Sequence, residues 1–114
     1  MNLLILAAGK GTRLPKKFRN KPKCLTKISK KTIFEHNYDF FMKFKERFII
    51  SGYKSKLLKN KINKKLFNFI QNKKFGSTNM VYSMFLASNK ITNDVVVCYG
   101  DVIFDKKILY FLRK

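Results

Sequence analysis

The stretch Leu3–Leu14, LLILAAGKGTRL, decides the fold. Leu3 to Ala7 is an unbroken apolar run, which reads as a strand buried on both faces, as in a parallel sheet. Gly9 and Gly11 follow it. Neither has a side chain to keep phosphate oxygens away from backbone N–H groups, so this loop can wrap a nucleotide closely. Arg13 and, further on, Pro22-Lys23-Cys24-Leu25 add cations where the first strand of an α/β domain would end. Two familiar phosphate loops do not fit. A Walker loop would need glycine in place of Leu4, and a dinucleotide fingerprint would need a third glycine in place of Leu14.

Working outward, Gly9 to Lys31 reads as a long basic loop, a kind of segment that is usually functional in a compact domain. Thr32 and Glu35 have capping-box spacing, so a helix should start there, with Ile33, Phe34, Asn37, Tyr38, Phe41 and Phe44 on its inner face. His36 falls within that helix and reads as an ordinary helix residue. Arg47 to Ser51 is a second strand closed by Gly52, Lys54 to Asn63 a basic crossover, and Leu66 to Ile70 a third strand. Beyond Gly76, Ser77 or Thr78 can cap a helix whose apolar face would be Met80, Val81, Met84 and Phe85. Asp94 to Tyr99, with Val95-Val96-Val97-Cys98, is the fourth strand, and Gly100-Asp101 ends it. Asp105 can cap a last helix with Ile108, Leu109 and Leu112 inside. The alternation β-α-β-α-β-α-β-α predicts a Rossmann-like, doubly wound, mostly parallel sheet with helices on both faces. Residues 1–114 read as one domain.

Composition narrows the function classes. Hydrophobic residues make up 46% of the 114, which excludes a disordered chain. The net charge of +20 would suit a nucleic-acid binder, but lysines (22 against 4 arginines) are scattered over nearly every segment. Lysine, 10 Asn, 10 Ile and 12 Phe together reflect AT-rich codon usage, so the charge reads as drift over solvated faces rather than a nucleic-acid footprint. Such a field still attracts an anionic nucleotide. Cys24 and Cys98 form no CxxC pair, and a single histidine cannot complete a zinc set, so both cysteines read as buried thiols. The apolar run at the N-terminus is too short for a secretion signal and no stretch reaches membrane-spanning length. A cytoplasmic location without membrane insertion is expected.

LAAGKGTRL, PKCL and YGDVIF together resemble the signature of the nucleotidyltransferases that activate sugar 1-phosphates or phosphocholine with a nucleoside triphosphate. SGYK and TNMVYSM resemble the phosphocholine cytidylyltransferase branch. The resemblance implies transfer of a nucleotide, CTP favoured, to a phosphorylated small-molecule acceptor, phosphocholine favoured, with release of pyrophosphate. A sugar 1-phosphate with UTP, GTP or dTTP is the runner-up. Open α/β sheets bind ligands at the carboxyl ends of their strands, which is where the glycine loop and Gly100-Asp101 fall. In that setting Arg13 would clamp the triphosphate, Lys23 would bridge the α-phosphate and the incoming phosphate, and Asp101 would hold Mg2+. Ala7, Ala8 and Gly9 would contact the base through their backbones. Gly11, Thr12, Asn79, Ser83 and Gly100 would complete the nucleotide site.

Family members are considerably longer, and their second metal-binding aspartate comes from a strand past the position of Lys114. The chain is therefore expected to be the N-terminal half of an enzyme, with an incomplete sheet whose exposed edge invites self-association or a partner. Two other classes stand beside this reading: a non-catalytic nucleotide-binding remnant and, on charge alone, a basic nucleic-acid binder.

Overall fold

The computed structural model describes residues 1–9, 20–77, 80–91, 94–105 and 107–112. Its strands are β1 (Asn2–Ala7), β2 (Lys27–Ile28), β3 (Lys31–Thr32), β4 (Arg47–Ser51), β5 (Asn68–Gln71) and β6 (Val95–Tyr99). The helices are α1 (Ile33–His36), α2 (Tyr38–Phe41), α3 (Ser55–Lys61), α4 (Met80–Ala87) and α5 (Lys107–Leu112), with a 3₁₀ turn at Lys23–Leu25. Four strands form a parallel sheet in the order β5-β4-β1-β6. The N-terminal strand is thus central, with Ile5 opposite Ile49 on one side and Cys98 on the other.

An apolar run suits β1 because both of its faces are covered. Leu3 and Ile5 pack with Phe34, Phe40 and Phe41 of α1 and α2 and with Leu58 of α3. Leu4 packs on the opposite face with Phe48, Ile50, Ile70 and Ala87 of α4. Helices therefore flank both faces, as the β-α alternation predicts. The first layer is dense in aromatic rings: Phe34 lies 5.1 Å from Phe67 and 5.3 Å from Phe41, a spacing suited to tilted and edge contacts. Arg47 closes its end, with Nε donating to the Leu66 carbonyl (2.8 Å) and a terminal nitrogen to that of Phe44 (2.7 Å).

Several local expectations are corrected. The long loop contains the β2–β3 hairpin, whose two turn residues Ser29 and Lys30 both have positive φ, 53° and 73°. Thr32 and Glu35 form the predicted capping box, each side chain bonded to the other's amide at 3.0 Å. The helix it starts breaks at Asn37 into α1 and α2. The third strand is Asn68–Gln71 rather than Leu66 to Ile70. The predicted apolar face of α4 also points the wrong way. Val81 and Phe85 are 67% and 70% exposed, and the helix buries Ser83 and Ala87 instead. Likewise Ile108 and Leu112 of α5 are exposed, although Asp105 does accept from the Lys107 amide at 2.9 Å. On β6, Val95, Val97 and Tyr99 are exposed. Among the described residues, no helix is long and apolar enough to cross a membrane.

Candidate nucleotide site

Adjacent parallel strands β1 and β6 end side by side, and the chain leaves both through small residues. The Gly100 amide donates to the Leu6 carbonyl at 3.0 Å, extending the ladder one step past β6. A Cβ on Gly100 would lie 3.2 Å from that oxygen and 3.4 Å from the Cβ atoms of Ala7 and Cys24. Glycine is what allows this close approach. Among the described residues, a Cβ at Gly9 would meet nothing within 4 Å. Gly52, at the end of β4, is the tightest position. Its Cβ would fall 2.7 Å from the Phe75 Cβ and 2.8 Å from the Ala8 carbonyl.

These strand ends enclose a cavity of about 290 Å³. β1 and its exit supply Leu6, Ala7, Ala8 and Gly9 to its wall; β6 and its exit supply Tyr99, Gly100 and Asp101. Lys23 and Cys24 come from the 3₁₀ turn, Asn72 and Phe75 from the segment after β5, and Ser83 from α4. Of the residues singled out in the sequence, Ala7, Ala8, Gly9, Lys23, Ser83, Gly100 and Asp101 thus meet around one cavity. Gly11, Thr12, Arg13 and Asn79 lie outside the described residues. His36 is not in the cavity wall; its Nε2 lies against the Ile28 carbonyl, tying α1 to the hairpin.

Charge at the cavity mouth is paired. Lys23 Nζ stands 3.6 Å from an Asp101 carboxylate oxygen, with both side chains about one-third exposed. At that exposure an ion pair contributes at most about 1 kcal/mol, so an entering anion or cation can separate it cheaply. Beneath it, burial pushes the Cys24 thiol up to about 12, and the Asp101 charge adds to the effect. The thiol is therefore a neutral wall and no nucleophile. Mg2+ is commonly held by one or two carboxylates together with substrate phosphates. A single carboxylate, Asp101, beside a cavity of this size fits that donor set.

Two polar residues tie down segments around the cavity, and neither was singled out in the sequence as a site residue; Asn37 was read only as part of a helix. The Asn37 side chain donates to the Val102 carbonyl (2.6 Å) and accepts from the Phe104 amide (2.8 Å), anchoring the segment that follows Asp101. Asn72, buried at the end of β5, donates through Nδ2 to Ser83 Oγ (3.1 Å) and accepts at Oδ1 from the Lys74 amide (2.9 Å). Its backbone amide donates to the Ser51 carbonyl at 2.7 Å, continuing the β4–β5 ladder. The strand-end rule that picked out Gly100-Asp101 would also have found Asn72, had the third strand been placed correctly.

Residues 3–114 match the MobA-like NTP transferase domain. The chain is 31% identical over 113 residues to the CTP:phosphoglutamine cytidylyltransferase of Campylobacter jejuni, covering 91% of this chain and 45% of that protein. It is 34% identical over 116 residues to the bifunctional protein GlmU of Methanococcus vannielii, covering 99% of this chain and 27% of that one. Among solved structures, the CTP:phosphocholine cytidylyltransferase of Streptococcus pneumoniae (LicC) superposes with a TM-score of 0.76 at 30% identity, covering 88% of this chain and 44% of that one. The chain thus spans less than half the length of each of these relatives.

Proposed function

The chain belongs to the MobA-like NTP transferase family, and on that premise we propose that it binds a nucleoside triphosphate, CTP in the first instance, for transfer to a phosphorylated small acceptor. One observation carries the reading. The cavity at the carboxyl ends of the adjacent parallel strands β1 and β6 has a glycine exit on each strand and is lined by the Lys23–Asp101 pair. That combination suits an anionic ligand that arrives with a cation. The choice of CTP rests on the two cytidylyltransferases to which the chain is 31% and 30% identical. Their names specify phosphoglutamine and phosphocholine, both phosphorylated small molecules, and phosphocholine is the acceptor we favour.

In the reaction, an oxygen of the acceptor phosphate bonds to the α-phosphorus of CTP. The bond from that phosphorus to the bridging oxygen of the β-phosphate breaks, and pyrophosphate leaves with the electron pair. No covalent enzyme intermediate is required. Lys23 leaves Asp101 to neutralise the two phosphates being joined, and Arg13 binds the triphosphate. Asp101 would hold Mg2+, which when bound would supply positive charge to offset that of the triphosphate and the leaving pyrophosphate. Ala7, Ala8 and Gly9 present their backbone to the nucleotide, and Gly11, Thr12, Asn79 and Gly100 belong to the same site in this reading. Use of a nucleoside triphosphate points to the cytoplasm as its place of work.

Pyrophosphate release from CTP, Mg2+ and phosphocholine, assayed beside direct CTP binding, tests the proposal. CTP binding in the micromolar to millimolar range, abolished turnover in Lys23→Ala and an unchanged circular dichroism spectrum are the expected outcome. A folded chain that binds no nucleoside triphosphate in the presence of Mg2+ would refute it.

A further inference from the structure

Besides the Lys23–Asp101 pair, the cavity is lined by two buried neutral polar residues, Asn72 and Ser83, whose donor and acceptor roles can be worked out. Asn72 is 1% exposed and Ser83 4%. An amide side chain in a structure can be turned either way, and its hydrogen bonds decide which. Here the Lys74 backbone N–H, which can only donate, faces one end of the Asn72 amide at 2.9 Å. That end must be the oxygen. The NH₂ end therefore faces Ser83, and Ser83 Oγ, 3.1 Å away, accepts from it. A serine hydroxyl has one proton and two lone pairs. With a lone pair taken by Asn72, its proton is left to donate, and among the described residues no acceptor takes it. Ser83 lines the cavity.

We propose that Asn72 is a positioning residue: it fixes Ser83 as a hydrogen-bond donor into the cavity, so that this wall selects a ligand atom with a free lone pair. The inference rests on the nucleotide-binding reading above and deepens it. It assigns to one wall of the site the chemistry of an accepting ligand atom, a carbonyl or ring nitrogen of the base or a phosphate oxygen. It also gives Asn72 a role exercised through Ser83.

Asn72→Asp inverts this arrangement with almost no change in shape. One carboxylate oxygen keeps the Lys74 amide, and the other becomes an acceptor facing Ser83, which then turns its proton away from the cavity. The test measures binding of CTP with Mg2+ by titration calorimetry to the full chain and to Asn72→Asp, Ser83→Ala and the double variant. Ser83→Ala and Asn72→Asp should each weaken binding about tenfold, the worth of one hydrogen bond. The double variant should bind no more weakly than Ser83→Ala, because nothing remains for Asn72 to orient.

If the aspartate instead acts by repelling the triphosphate, its effect will persist undiminished when Ser83 is already alanine, and the proposal falls. Should the buried carboxylate prevent folding, Asn72→Ala takes its place in the same cycle. It should weaken binding severalfold with Ser83 present and not at all without it; equal losses in both backgrounds would overturn the assignment. Wild-type binding with Ser83→Ala within twofold of it would sink this inference alone. Failure of the wild type to bind any nucleoside triphosphate would sink the functional reading and this inference with it.

Discussion

Replacing Asn37 with leucine removes a polar anchor while keeping the same branching and number of side-chain heavy atoms. In the native fold the Asn37 amide satisfies the Val102 carbonyl and the Phe104 amide at 2.6 and 2.8 Å, from a side chain that is 1% exposed. Leucine satisfies neither. A backbone group left unpaired in the interior costs about 1–3 kcal/mol. Val102 borders solvent, so its carbonyl recovers water, and the total should fall near the lower end, about 2 kcal/mol. For 114 residues the entropy of unfolding is about 0.24 kcal/mol per kelvin near the midpoint, so Tm should drop by about 8 °C. The freed segment begins one residue after Asp101, so CTP affinity measured well below Tm should fall as well. A thermal melt followed by circular dichroism gives the first number and calorimetric titration the second. A Tm within about 2 °C of wild type would show that these two bonds do not hold the segment.

Other substitutions probe the same region. Gly52→Ala forces a methyl against the Phe75 Cβ and the Ala8 carbonyl, and should cost about 1–3 kcal/mol in urea denaturation; Gly9→Ala, which meets nothing, should leave the midpoint unchanged. The thiols of Cys24 and Cys98 are both pushed up to about 12 by burial, from an ordinary value of 9.0. Each keeps its proton in the folded chain while the unfolded chain loses it, so their contribution is complete below pH 9 and shrinks as pH rises toward 12. The double alanine variant should therefore show a shallower alkaline loss of stability than wild type, and neither native thiol should react with a disulfide reagent at pH 8. Thr32 bonds hold the Glu35 carboxyl below its usual range. That contribution is present above the ordinary glutamate pKa and fades as pH falls through the lowered one. Thr32→Ala should cost a few degrees of Tm at pH 7 and flatten the acid limb of the stability curve.

The sequence betrays those features whose causes are local. Continuous apolar runs marked β1 and β4 because a strand covered on both faces needs no alternation; the run of β6 marked a strand as well, although Val95, Val97 and Tyr99 are exposed. Thr32 and Glu35 gave away the start of α1 because a capping box is complete within four residues. The break at Asn37 was hidden because the amide that causes it is committed to Val102 and Phe104, far along the chain. The β2–β3 hairpin was hidden for a different reason. Its turn takes positive φ at a serine and a lysine, without the glycine or asparagine that normally announces such a turn. In α4 the stretch MVYSMFLA is apolar on nearly every side, so its pattern does not say which face turns inward. At the site, glycine and aspartate at strand ends were legible by type. Asn72 was not, because the expected third strand, Leu66 to Ile70, ends one residue before the observed end at Gln71.

The central place of β1 governs when the fold can form. Leu4 is synthesised before both of its sheet neighbours, Phe48 on one side and Val97 on the other. Until β6 has emerged from the ribosome, β1 can pair on only one edge, and the Leu6 carbonyl has no Gly100 amide to receive. Such long-range parallel pairings are slow to close, and the unpaired edge is open to aggregation meanwhile. Synthesis should therefore leave β1 and its glycine exit waiting until β6 has emerged. Cleavage before Tyr99 would strip the cavity of the wall that Tyr99, Gly100 and Asp101 supply.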